Sequence, residues 1–246
     1  MHIVIIANGT IENYLVARER IIGSDYFIAC DGGLRHFPLL GLTPDCIIGD
    51  FDSAPPDLLA DYRARGVPVV SYPSEKDETD LELAVAHAVA LSPGGEEFGG
   101  CTPSGRMQRH SSAKSVVATA EPFAPCSIVI LGALGGRIDH ALANLHVLAQ
   151  TGSVSAEIWD ESTSIRLIKD EVILSRRCLT GGLRYATLSL IPLTTEVTGI
   201  TTRGLAYPLT DGTLRAGETC GVSNEFTADI AEISIKSGLL LAVLCK

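Results

Sequence analysis

The sequence has no basic stripe. Its 19 lysines and arginines are scattered and outnumbered by 29 aspartates and glutamates, leaving a formal net charge of -10. Binding a phosphate backbone relies on clustered cations, so nucleic acid is excluded as the main partner. No apolar run approaches the roughly 18 residues that a membrane span needs. A cationic start followed by an apolar stretch and a small-residue cleavage site is also missing, so neither export nor a membrane span is expected, and the cytoplasm is the default. The seven cysteines (Cys30, Cys46, Cys101, Cys126, Cys178, Cys220, Cys245) show no Cys-x-x-Cys spacing and no histidine at zinc spacing. That excludes a zinc ribbon or disulfide framework and reads as reduced thiols, several packed as small hydrophobes. Repeats of fixed period are absent. Apolar material is plentiful: 46% of the 246 residues are hydrophobic, enough for one large core or two of moderate size.

The first half alternates apolar runs with helical stretches. Ile3 to Ala7 ends at Asn8-Gly9, and Tyr26 to Cys30 ends at Asp31-Gly32-Gly33. Cys46 to Gly49 precedes a helix over 57–65, Val67 to Tyr72 one over 78–91, and Ser127 to Leu131 one over 139–150. Uninterrupted apolar strands followed by glycine or polar turns predict a parallel sheet covered on both faces. Leu81, Ala84, Val85 and Ala88 recur at helical spacing, the stripe of a helix lying on that sheet. Residues 92–125 break the pattern with Gly, Ser, Thr and Pro and read as an inserted mobile surface loop. Its Arg106, Arg109 and Lys114 are better explained as solvated than as phosphate ligands.

Beyond Thr151 the segments become short and partly alternating: 156–159, 164–168, 172–174, 186–191 and 232–235. This texture predicts a small all-β sandwich. The fold class expected is therefore an α/β parallel-sheet nucleotide domain over 1–152 followed by a smaller all-β sandwich over 153–246.

Chemistry concentrates at the carboxyl ends of the expected parallel strands, where open α/β sheets collect ligands. Gly49-Asp50-Phe51-Asp52-Ser53 leaves one such end. If extended, it sets Asp50 and Asp52 on one side with Phe51 turned inward, an arrangement that invites a divalent cation such as Mg²⁺ with a phosphate as a further ligand. Taken alone, an Asp-x-Asp pair is more often a solvated acidic turn. Asp77 and Asp80 lie three apart at the start of the next helix, with Lys76 beside them, although Thr79-Asp80-Leu81-Glu82 also fits a capping box. After the last apolar strand comes Gly132 through His140, where the guanidinium of Arg137 suits phosphate oxygens and Asp139 fits a helix cap. His140 and the lone His36, His87 and His146 are read as structural.

Asp31-Gly32-Gly33, Pro44 through Ser53, Glu75 through Glu82 and Gly132 through Asn144, in this order, resemble the thiamine pyrophosphokinase family. So do Ser189 through Leu193, Gly204 through Leu209 and Gly221 through Glu225 in the second half. The resemblance covers nearly the whole chain except 92–125. It implies transfer of a pyrophosphoryl group from ATP to the hydroxyl of thiamine with release of AMP. It further implies an Mg²⁺-dependent homodimer with its active site between subunits. On matching positions it makes Asp50, Asp52, Asp77 and Asp80 candidates for metal and pyrophosphate handling. Asp31, Gly32, Gly33, Lys76, Arg137 and Asp139 fall in the nucleotide region, and Tyr207, Ser223 and Asn224 on the thiamine side, with Phe226 competing with Tyr207 as the aromatic platform. A diphosphokinase acting on another alcohol, such as a hydroxymethyl pterin, and a nucleotide-binding regulatory module without turnover are the rivals.

Overall fold

The computed structural model describes residues 1–92, 126–177 and 184–246. Nearly all of the expected insertion at 92–125, including its basic residues, lies outside the described residues. Among the described residues no helix is long and apolar enough to cross a membrane. The cysteines among them, Cys30, Cys46, Cys126, Cys220 and Cys245, are free.

The first half runs β1 (His2–Ile6), α1 (Tyr14–Ile21), β2 (Tyr26–Cys30), a 3-10 turn over Asp31–Arg35, α2 (His36–Leu40), β3 (Cys46–Gly49), α3 (Pro56–Ala64), β4 (Val69–Ser71), α4 (Asp80–Ala90), β5 (Ser127–Leu131) and α5 (Ile138–Val147). β1 occupies the centre because Ile3, Val4, Ile5 and Ile6 are all fully buried, and burying each such side chain stabilises the fold by about 1.5–3 kcal/mol. Its side chains alternate between two cores. Ile3 and Ile5 meet Leu81, Ala84, Val85 and Ala88 of α4, while Val4 and Ile6 meet Ala17, Ile21, Phe37, Leu40 and Leu59 from α1, α2 and α3.

The second half runs β6 (Ser155–Trp159), β7 (Thr163–Ile168), β8 (Glu171–Ser175), β9 (Thr187–Pro192), β10 (Glu196–Arg203), β11 (Gly212–Arg215), β12 (Asn224–Glu225), β13 (Ile230–Ser234) and β14 (Leu240–Cys245). The strands do not build a separate pair of sheets. One ten-stranded mixed sheet has the order β12-β9-β14-β7-β6-β5-β1-β2-β3-β4, and a four-stranded antiparallel sheet has the order β11-β10-β13-β8. The expected sandwich is present, but one of its layers is the continuation of the parallel sheet. β6 pairs parallel with β5 and antiparallel with β7, so it is the strand at which direction changes. The turn between β6 and β7 is held by Asp160, whose Oδ1 accepts hydrogen bonds from the backbone of Ser162 and Thr163, both at 2.7 Å. β14 lies between β7 and β9. Its Leu240, Ala242 and Leu244 fill the space between the sheets with Val197, Ile200 and Ile233, while Leu241 turns to the core shared with β1.

A buried carboxylate marks the same junction. Glu157 on β6 accepts from Arg20 of α1 at 2.5 Å, from Arg166 of β7 at 3.0 Å and from Ser164. Burial alone would raise its pKa, but the two guanidiniums prevail and hold it below the usual glutamate value. Removing one partner of such a buried cluster strands the other charge, so the cluster ties α1 to the mixed sheet.

Candidate active site

Strands β1 to β4 follow one another outward, and β5 then returns to the other side of β1. The strand order therefore reverses between β1 and β5, where doubly wound sheets open a crevice. The loops leaving the carboxyl ends of these five strands frame a cleft of about 440 Å³. Its β5/β1 half is formed by Asn8, Gly9, Gly132, Gly135 and Gly136, and its β3/β4 half by acids.

The segment after β3 is a turn, not the extended stretch expected from the sequence. Phe51 has φ +66 and Asp52 donates its N–H to Asp50 Oδ1 at 3.3 Å. A non-glycine residue in left-handed backbone is costly and must be held by its surroundings. Phe51 supplies that hold, half-buried against the α3 side of the core and lying under the Arg63 guanidinium at 5.6 Å. The turn carries Asp50 and Asp52 toward Asp31, which is itself at φ +45. One oxygen from each of these three carboxylates can be chosen so that all lie within 4.8 Å of one another.

Asp31 is 6% exposed and its Oδ1 has no hydrogen-bond partner. Burial raises its pKa above the usual aspartate value, a hydrogen bond from Gly32 opposes this, and Asp80, Asp52 and Asp50 add to the rise. Burial likewise raises Asp80, against the pull of Lys76. Lys76 Nζ stands between the two acidic groups, 3.5 Å from Asp50 Oδ2 and 3.0 Å from Asp80 Oδ1. The contact to Asp80 has ion-pair distance but lacks hydrogen-bond direction, so that oxygen too is without a directed partner. Burial would lower the lysine's pKa, but its pairing with Asp80 and Asp50 raises it. One ammonium among four aspartates leaves an excess of negative charge. An unpartnered buried carboxylate oxygen in an all-oxygen donor set fits a hard divalent cation such as Mg²⁺.

The structure separates other residues that the sequence grouped. Asp77 is exposed and outside the cleft walls, whereas Ser74, Glu78 and Thr79 line them. Asp77 and Asp80 do not share a helix face, because Thr79 caps α4 by accepting from Glu82 N at 3.2 Å and the helix begins only at Asp80. Arg137 lines the cleft mouth and Asp139 does not. The guanidinium donates to both Asp139 oxygens, at 3.1 and 2.5 Å, on the exposed surface. That pairing pulls Asp139 down to about 2. Asp139 is not the helix cap: Arg137 occupies that position and no side chain caps it. His140 is exposed at the cleft edge, and Asn144 donates to Ala133 O at 2.8 Å beneath it. Gly32 and Gly33 act by close approach: a Cβ on Gly33 would stand 2.0 Å from Ile6 O, and one on Gly32 would stand 2.4 Å from the Asn8 side chain.

Tyr207, Ser223 and Asn224 lie elsewhere. β12 is at the far edge of the large sheet, eight strands from β3, which at about 4.8 Å per strand is roughly 38 Å along the sheet. Asn224 is bonded on both sides of its amide to the Tyr207 backbone, accepting from N at 3.0 Å and donating to O at 2.7 Å. Ser223, at φ +61, donates its N–H to Ser189 Oγ at 3.0 Å. Tyr207 is 69% exposed and Phe226 is buried between the sheets, so of the two aromatics Tyr207 is the accessible one.

A carboxylate-lined cleft at the switch point of a doubly wound sheet, joined to an antiparallel sandwich, defines an α/β protein with an acidic, all-oxygen candidate site. Comparison with known proteins narrows this class. Residues 18–159 match the profile described as thiamin pyrophosphokinase, catalytic domain, and residues 175–240 that described as thiamin pyrophosphokinase, vitamin B1 binding domain. The chain belongs to the thiamine pyrophosphokinase family. Thiamine pyrophosphokinase 1 of Oryza sativa subsp. japonica is 26% identical over 204 residues, which cover 81% of this chain and 66% of the rice protein. Thiamine pyrophosphokinase of Bacillus subtilis (strain 168) is 24% identical over 227 residues, covering 88% of this chain and 86% of that one. A crystal structure of thiamine pyrophosphokinase from Bacillus subtilis shares the fold, with a TM-score of 0.74 at 22% identity, covering 100% of this chain and 99% of that chain.

Proposed function

We propose that the protein transfers a pyrophosphoryl group from ATP to the hydroxyl of thiamine, giving thiamine diphosphate and AMP. The observation that carries this reading is the convergence of Asp31, Asp50 and Asp52 within 4.8 Å, with Lys76 and Asp80 alongside, at the switch point of the sheet. Family membership supplies the substrates.

In this reaction the thiamine oxygen bonds to the β-phosphorus of ATP, the bond from that phosphorus to the α,β-bridging oxygen breaks, and AMP leaves. Such transfers ask the protein mainly for positioning and for neutralisation of charge. Asp31, Asp50, Asp52 and Asp80 would hold Mg²⁺, which when bound supplies positive charge to the polyphosphate. Lys76 adds a fixed cation that its two aspartates keep protonated. A carboxylate of this set accepts the proton of the thiamine hydroxyl as attack proceeds. Arg137 stands at the cleft mouth, where its guanidinium can exchange Asp139 for a phosphate. Asp77 has a peripheral electrostatic role in this scheme.

Residues 1–152 carry the ATP site and residues 153–246 the thiamine-binding and dimerisation surface. Roughly eight strand spacings separate Ser223 and Asn224 from Asp50. Those residues therefore serve the cleft of a second subunit, with exposed Tyr207 as the face on which the cationic thiamine ring stacks. The active enzyme is accordingly a homodimer whose sites lie between chains. Incubation with ATP, Mg²⁺ and thiamine should yield AMP and thiamine diphosphate in equal amounts. Formation of ADP instead, or of no product, would sink the reading.

A further inference from the structure

The wall of the cleft opposite the acids is the turn Asn8-Gly9, and two consecutive residues grip it from behind. Arg35 Nη2 donates to Asn8 O at 2.5 Å and to Gly9 O at 3.2 Å. His36 Nε2 lies 3.0 Å from the same Gly9 oxygen. A carbonyl can only accept, so Nε2 carries a hydrogen. His36 Nδ1 lies 2.8 Å from Tyr14 Oη, and in the neutral ring it is therefore the acceptor of the tyrosine hydroxyl. Burial and the neighbouring Arg35 keep the ring neutral. The carbonyl orientation of the turn is thus set by a chain from α1 through α2, and Gly9 passes it on by donating its N–H to Gly132 O at 2.7 Å. A Cβ on Gly9 would stand 2.3 Å from that oxygen, so the turn has no slack on its other side. Asn8, Gly9 and Gly132 all line the cleft, while Arg35, His36 and Tyr14 do not.

We propose that Arg35 and His36 are positioning residues for ATP, acting through the Asn8-Gly9 turn. The segment that begins with the Asp31 carboxylate ends with these two donors, so a single 3-10 turn and the start of α2 set both halves of the cleft at once. The inference rests on the reading of this cleft as the ATP site.

The test is Mg·ATP binding by titration calorimetry in the absence of thiamine, followed by steady-state kinetics. His36→Asn removes the donor to Gly9, whereas His36→Gln keeps an N–H near the Nε2 position. A neutral hydrogen bond is worth a few-fold to about tenfold in an equilibrium, so His36→Asn should weaken ATP binding about fivefold and raise KM for ATP alike. KM for thiamine should stay unchanged, and His36→Gln should restore ATP affinity. Arg35→Met, at an exposed position, should weaken ATP binding by a similar factor without a loss of folding, which keeps the test sound if His36→Asn unfolds. A merely structural role would lower the active fraction in both variants and leave the ATP constants of the remaining enzyme where they were. That result, or equal ATP affinity in wild type and Arg35→Met, overturns the proposal. Failure of the wild-type protein to bind Mg·ATP at all would overturn the ATP reading of the cleft along with it.

Discussion

Replacing Asp31 by Asn should stabilise the metal-free protein and blunt its response to Mg²⁺. Oxygens of Asp31, Asp50 and Asp52 lie within 4.8 Å of one another. Two unit charges at that separation repel by about 3.5 kcal/mol at an effective dielectric of 20 and by about 1 kcal/mol in water. Asp52 is exposed and belongs near the lower figure, so removing the Asp31 charge should relieve about 1–3 kcal/mol. Burial raises the pKa of Asp31, the neighbouring aspartates add to the rise, and the direction gives a sign that can be checked. With a folded pKa above the unfolded one, its contribution to stability is present at low pH and is lost as pH rises through the raised value. The assay is urea unfolding at pH 7 in EDTA and again in excess Mg²⁺. Wild type should gain about 2.7 kcal/mol when Mg²⁺ is 100 times its dissociation constant, and Asp31→Asn should gain markedly less. If the variant is the weaker protein in EDTA, or if both respond equally to Mg²⁺, then Asp31 is held by its hydrogen bonds and not opposed by its neighbours.

Three further outcomes follow from the geometry. Gly33→Ala places a Cβ 2.0 Å from the backbone of β1 and should prevent folding, whereas the atoms nearest a Cβ on Gly32 belong to the movable Asn8 side chain, so Gly32→Ala should fold with weakened ATP affinity; circular dichroism and nucleotide titration separate them. Mixing Asp50→Asn and Asn224→Ala subunits, each inactive alone, should restore about a quarter of wild-type turnover, because half of the random dimers carry one intact site of two; no recovery after verified exchange would show that both residues act within one chain. His36 is lowered from 6.5 to about 4, so in the window between these values the unfolded chain takes up the proton and the folded one does not, and stability falls as pH falls. Wild type should lose about 2 kcal/mol relative to His36→Gln between pH 7 and pH 5 in chemical denaturation, and parallel curves would refute a buried neutral histidine.

The sequence was most readable where burial is two-sided. Tyr26–Cys30, Cys46–Gly49 and Ser127–Leu131 are strands with the bounds that their apolar runs give, because only a covered parallel strand is apolar at every position. The helix ends were displaced by one to three residues, and at α4 the displacement matters: Thr79 caps the helix and leaves Asp77 outside it. Phe51 could not be read as left-handed, since its strain is held by Arg63 and the α3 core, which are tertiary contacts. Strand β10 was hidden by Gly199, at φ +68, where the register with β11 shifts and the alternation breaks. Pairing partners were beyond the sequence: nothing local says that β6 joins β5, so the sandwich looked like a module of its own. In the site, Asp31 carried the nucleotide label because its glycines drew attention, and its place beside Asp50 depends on β2 and β3 being neighbours.

The continuity of the large sheet through β6 has a consequence for motion. A hinge between the two halves would have to shear β5 from β6 or β6 from β7, breaking the ladders that join them. Opening and closing by one half swinging against the other is therefore costly for a single chain. Any movement that admits a ligand to the cleft is left to the loops at the strand ends that frame it.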